Sequence, residues 1–81
     1  MSKQDIFNKP YVIVTFATTT DAIAGEYAFK HIGVDGRLIP VPGFIKAGCG
    51  MCWYSSIFSK NQIQEYIKNN KITYEQIFLK E

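Results

Sequence analysis

Short β-branched and aromatic runs alternate along this chain with stretches whose apolar positions recur every three or four residues. The run Tyr11-Val12-Ile13-Val14-Thr15-Phe16 predicts a first strand. Thr18, Thr19, Thr20 and Asp21 follow it with N-cap hydroxyls and an acidic first turn, so a helix is expected next. Ala24, Ala28 and Ile32, with Ile23 and Tyr27 beside them, predict its apolar face, and Gly33 ends it in a left-handed conformation. Residues 36–41 predict a second strand, placed at an edge or ending at Pro40, which has no N–H for a ladder. A loop over 42–50 leads to a third strand over 51–57. Ser59-Lys60-Asn61-Gln62 has capping-box spacing for a second helix in which Ile63, Tyr66 and Ile67 face inward. Asn69-Asn70 ends that helix, and residues 73–79 predict a last strand.

The order β-α-β-β-α-β predicts an α+β, ferredoxin-like two-layer sandwich: a four-stranded antiparallel sheet with two helices on one face. A polar N-terminal segment (1–10) precedes a single domain (11–81), with no repeat or linker. In this connectivity the first two strands run parallel with the third antiparallel between them, so the loop after the first strand and the 42–50 loop share one end of the sheet. Cys49 is therefore expected beside Thr18, Thr19 and Thr20 at the N-terminus of the first helix. Free N–H groups and the positive end of the helix dipole favour an anionic sulfur there. The sheet face without helices predicts a homodimer, because a second subunit would bury it.

Composition narrows the function classes. With 47% hydrophobic and 15% aromatic residues, the 81-residue chain has the makings of an ordered domain. A net charge of +2, scattered along the chain, does not advertise a nucleic-acid surface. No run approaches the ~18 apolar residues of a membrane span, and residues 1–10 lack the apolar core of a secretory signal. A cytoplasmic, reducing location is the resulting expectation, in which two neighbouring cysteines are reactive or metal-binding rather than a structural disulfide.

Both cysteines lie in Gly48-Cys49-Gly50-Met51-Cys52-Trp53. Glycines on either side of Cys49 allow close approach to its sulfur, and Lys46 is near in sequence, so Cys49 is the candidate nucleophile rather than a small loop residue. Cys52 reads first as core packing and second as a resolving thiol. A Cys-x-x-Cys pair supplies half of a tetrahedral zinc site, and the only histidine, His31, falls at the far end of the first helix, so no metal and no cofactor is assigned. Trp53, Tyr54, Tyr11 and Phe78 read first as packing or dimer contacts and second as the lining of a binding surface. Arg37 binds an anion or caps the entry to the second strand. Paired carboxylates, a Ser-His-Asp set, GxGxxG and P-loop spacing do not occur, which leaves conventional hydrolase and nucleotide chemistry without support.

Several stretches together resemble the selenium/sulfur (Se/S) carrier protein-like family. They are Phe16 with Thr18–Thr20 closing the first strand, the helix over Ala22–Phe29, Arg37-Leu38-Ile39-Pro40-Val41-Pro42, Cys49-Gly50 before a strand, and Tyr74-Glu75. The similarity runs over nearly the whole domain. It implies that Cys49 carries sulfur or selenium as a persulfide-type adduct, with sulfur or selenium donor and acceptor proteins as partners. Gly48, Gly50, Thr18, Thr19, Thr20 and Arg37 are then the binding residues, with Cys52 assisting release. The chain departs from the family pattern at Cys52, where a small or apolar residue is expected, and at Tyr54, where a basic one is common. A carrier or binding protein is favoured over a turnover enzyme, the alternative being a non-enzymatic dimeric module, metal-binding or regulatory, with structural cysteines.

Overall fold

The structure is a computed structural model and describes residues 3–81, with side chains from Ile6 onward; Met1 and Ser2 of the N-terminal segment lie outside the described residues. After a short 3-10 stretch (Lys3–Asn8) the chain runs through β1 (Tyr11–Thr15), α1 (Thr19–His31), β2 (Gly36–Pro40) and β3 (Met51–Ser56). A 3-10 turn (Ile57–Ser59), α2 (Lys60–Asn69) and β4 (Ile77–Lys80) complete it. The four strands lie in the order β2-β3-β1-β4 with every neighbouring pair antiparallel. This is the expected α+β, ferredoxin-like arrangement, and β2, with its Pro40, is an edge strand as predicted.

The β-branched residues of β1 explain its place inside the sheet, since all five of its positions are buried. Val12 and Val14, with Phe16 beyond the strand, pack on Phe29 of α1, Ile63 of α2 and Trp53 of β3. Thr18 caps α1 from an extended conformation, its side chain accepting from the Asp21 N–H at 3.1 Å. At the other end Gly33 takes φ +83°, while Val34 and Gly33 donate to the Phe29 and Lys30 carbonyls, both at 3.0 Å. These two bonds make a Schellman cap, and the apolar contact that accompanies it is Val34 meeting Phe29 in the core.

α1 presents a different face to the core from the one its apolar spacing predicts. Ala22, Gly25 and Phe29 are buried, whereas Ala24 is exposed and Ile23 and Tyr27 are 56% and 74% accessible. Gly25 is the reason: a Cβ there would lie 2.6 Å from Cζ of the buried Phe16 ring, so only glycine lets the helix settle onto that ring. Gly25→Ala should therefore lower the thermal midpoint. The helix-propensity gain of about 1 kcal/mol is outweighed by overpacking that costs roughly 1–3 kcal/mol. A raised midpoint in a thermal melt would contradict this packing.

The start of α2 also differs from expectation. Ser59 makes no side-chain cap bond, because the 3-10 turn runs straight into the helix and Ser59 (φ −89°, ψ −1°) is already in the helical region. Capping has moved to Ser56, whose hydroxyl accepts from the Phe58 N–H at 3.2 Å. Gln62, freed from the capping box, donates instead to the Ile32 carbonyl at the end of α1 at 2.9 Å. Ile63 is buried, and Tyr66 and Ile67 pack partly against the same core, as expected. β3 stops one residue short of the prediction, and β4 begins at Ile77 rather than at residue 73.

The helix-free face of the sheet is covered from within the chain. Tyr11, Ile13, Ile39, Ile45 and Cys52 form a second buried cluster, with Ile6, Phe7, Val41, Tyr54 and Phe78 packed on it. Phe7 meets the rings of Tyr11, Phe44 and Tyr54 edge-on, with centroids 6.1, 5.6 and 6.0 Å away. The Tyr54 hydroxyl donates to the Ile6 carbonyl at 2.6 Å and Lys80 Nζ to the Phe7 carbonyl at 2.7 Å. The surface on which the homodimer expectation rested is thus already occupied by part of the N-terminal segment.

Candidate functional site

Three stretches converge at one end of the sheet: the β1–α1 junction, the 42–50 loop and the segment leading into β4. The loop is pinned at its base, where the Val41 N–H donates to the Gly50 carbonyl at 3.0 Å, and by Ile45, which is buried. Its tip lies on the junction, with the Cys49 N–H donating to the Phe16 carbonyl at 3.4 Å. A Cβ on Gly48 would sit tightly, 3.0 Å from the Ala17 carbonyl oxygen, and Gly50 has φ +79°, so the turn around Cys49 favours a small residue at 48 and a glycine at 50. The backbone of Cys49 therefore sits next to the chain entering α1. Thr18, Thr19 and Thr20, the next residues of that chain, are exposed, the Thr18 hydroxyl being engaged by the Asp21 amide.

Cys49 is half-buried, packed in part against the helix-side core. Its Sγ donates to the Met51 carbonyl at 3.3 Å, a contact that only the protonated sulfur makes. Cys52 is fully buried on the other side of the sheet, in the cluster of Tyr11, Ile13, Ile39 and Ile45. Burial pushes its thiol from 9.0 up to about 11, and negative charge on Cys49 adds to the rise. Both thiols are free.

Arg37 is not part of this group. It lies on β2 opposite Tyr54, three β3 positions from Met51, or roughly 10 Å along the sheet at strand spacing. Trp53, Tyr11, Tyr54 and Phe78 are packing residues: Trp53 stacks obliquely on Phe29 at 5.3 Å and donates its indole N–H to the Ser55 hydroxyl at 2.6 Å, and the other three lie on the helix-free side. His31 is exposed at the far end of α1, stacked on Tyr27 at 6.1 Å. Among the described residues no three His, Cys, Asp or Glu side chains cluster as metal ligands, and no helix is long and apolar enough to cross a membrane.

One residue at this end went unassigned from sequence. Glu75 accepts from the Gly48 N–H through Oε1 at 3.3 Å, while its own N–H donates to the Thr15 carbonyl at 2.7 Å. It ties the loop that carries Cys49 to the end of β1, and it takes up one of the amides that face outward there. Its only sequence signal was its place in the Tyr74-Glu75 pair, 26 positions beyond Cys49.

Sheet order, helix placement and a half-buried thiol between two glycines define a small ferredoxin-like α+β domain with one approachable cysteine. The sequence matches a family model over residues 11–79, and the chain belongs to that family, described as "Putative Se/S carrier protein-like". No curated protein and no solved structure matches it.

Proposed function

We propose that Cys49 is the residue on which this chain carries sulfur or selenium. The observation that carries the reading is the contrast between the thiols: Cys49 reaches the surface in a turn that small residues keep open, and Cys52 does not. In the transfer step the Cys49 thiolate, its proton released to solvent, attacks the terminal sulfur of a donor persulfide. A new S–S bond forms, the donor's S–S bond breaks, and the donor leaves as a thiolate with the bonding electron pair. A thiolate on an acceptor protein then removes the terminal sulfur and returns Cys49, so the cycle involves no net oxidation. A terminal selenium moves by the same exchange.

Gly48 and Gly50 leave the donor room to approach, and the hydroxyls of Thr19 and Thr20 with the first amides of α1 offer donors to the anionic adduct. Cys52 stays a thiol throughout, buried on the other side of the sheet from Cys49. Two free thiols fit a cytoplasmic, reducing setting. Carriage needs one subunit. Homodimerisation would draw on apolar surface elsewhere, such as Ile23 and Tyr27 on the outer side of α1.

Intact-mass and peptide-mapping measurements after incubation with a small alkyl persulfide test the assignment. The mass of one sulfur atom is expected on the Cys49 peptide, absent in Cys49→Ser and retained in Cys52→Ala. An adduct that persists in Cys49→Ser would falsify the role given to Cys49.

A further inference from the structure

A groove of about 340 Å³ runs along the edge of the sheet on its helix-free side, outside the thiol site. Alternation along β2 places Arg37 and Ile39 on that side, opposite Tyr54 and Cys52, and Val41 continues the row. Ile6 and Phe7 form the facing wall, and Pro40 and Pro42 close one end. Every lining residue is apolar except Arg37. Among the described residues none that lines the groove is acidic and Arg37 belongs to neither ion pair (Glu26–Lys30, Lys60–Glu81), so its guanidinium is the charge this lining presents.

We infer that this groove binds a small amphiphilic carboxylate, its apolar body against Ile6, Phe7, Ile39 and Val41 and its carboxylate on the Arg37 guanidinium. Charge complementarity selects the acid group: guanidinium is always charged and its fork matches a carboxylate in two parallel hydrogen bonds. The volume falls at the small end of ligand sites, roughly 300–1,000 Å³. Backbone geometry argues against an added strand as the occupant. Val41 directs its N–H inward to Gly50, so by ladder alternation positions 38 and 40 face outward. Position 40 is proline and offers no N–H, which interrupts the edge that a peptide or a second copy would pair with. The carboxylate would lie roughly 10 Å along the strand from the Cys49 turn. Although the apolar body reaches Val41, bonded to Gly50, it stays on the opposite side of the sheet from the Cys49 side chain, so the groove acts independently of sulfur carriage.

Titrating the full, 15N-labelled chain with octanoate, and separately with octanol, tests this. Octanoate is expected to shift the amides of Phe7, Arg37, Ile39 and Val41. Arg37→Gln should weaken octanoate at least tenfold, equivalent to about 1.4 kcal/mol, with Arg37→Lys recovering part of the loss and octanol binding the parent as weakly as octanoate binds Arg37→Gln. Arg37 is exposed, so the variant keeps the fold, and persulfide loading of Cys49 should be unchanged in it. Failure of octanoate to bind, shifts centred elsewhere, equal affinity in Arg37→Gln, or a concentration-dependent dimer that shields the groove would each overturn the inference.

Discussion

Trp53→Ala is expected to leave much of the chain unfolded at room temperature. Trp53 is fully buried at the centre of the helix-side core, against Phe29, Val12, Val14 and Ile63. Truncating a buried aromatic to alanine costs about 3–5 kcal/mol. The change also orphans the Ser55 hydroxyl, which is buried and accepts the indole N–H at 2.6 Å, for about another 1–3 kcal/mol. A domain of this length has roughly 4–12 kcal/mol of stability in total. Urea denaturation followed by circular dichroism should show a midpoint near zero for Trp53→Ala, an intermediate loss for Trp53→Phe and almost none for Tyr27→Ala, whose ring is exposed. A Trp53→Ala variant with the parent's midpoint would mean that the core is organised around another residue.

The second large effect is kinetic. In the native state Cys49 should react with iodoacetamide at least ~100-fold faster than Cys52 at pH 8. A thiol displaced to about 11 is ionised in only about one molecule in a thousand there, and Cys52 has no accessible surface from which to react. In urea the two rates should converge. The same displacement makes stability depend on pH. The folded state holds the Cys52 proton more tightly than the unfolded state, so its contribution is present in full below about pH 9 and is lost as pH rises through about 11. Urea midpoints measured between pH 8 and 11 should therefore fall more steeply for the parent than for Cys52→Ala. Equal labelling rates in the native state would place Cys52 at the surface and undo both statements.

Elements with one dominant local cause were legible before the structure. The β-branched run of β1, the Thr18 cap, the Gly33 stop and the Pro40 edge each follow from the conformational limits of the residue itself. The elements that escaped depend on what a residue meets far along the chain. Hydrophobic spacing in α1 counted Ala24 and Tyr27 and passed over Gly25, because a glycine has no apolar surface to score; its value lies in the Phe16 ring beneath it. Ser59 had cap chemistry, but the turn before it had already set its backbone to helical angles. The cover on the helix-free face was invisible because Ile6 and Phe7 are a single apolar pair in a mostly polar stretch. At the thiol site, connectivity brought Cys49 to the β1–α1 junction, yet the hydrogen bond from Gly48 to Glu75 joins residues 27 positions apart and leaves no local trace.

The two apolar side chains ahead of β1 bear on how the protein is cut and tagged. A version trimmed to begin at Tyr11, where the family match starts, would keep every strand and both α-helices but lose the 3-10 stretch and strip Ile6 and Phe7 from Ile13, Ile39 and Cys52. The stripped molecules would present greasy sheet to one another, and their clumping would report the missing lid rather than a native assembly. Affinity handles are better joined after Glu81 than ahead of Lys3.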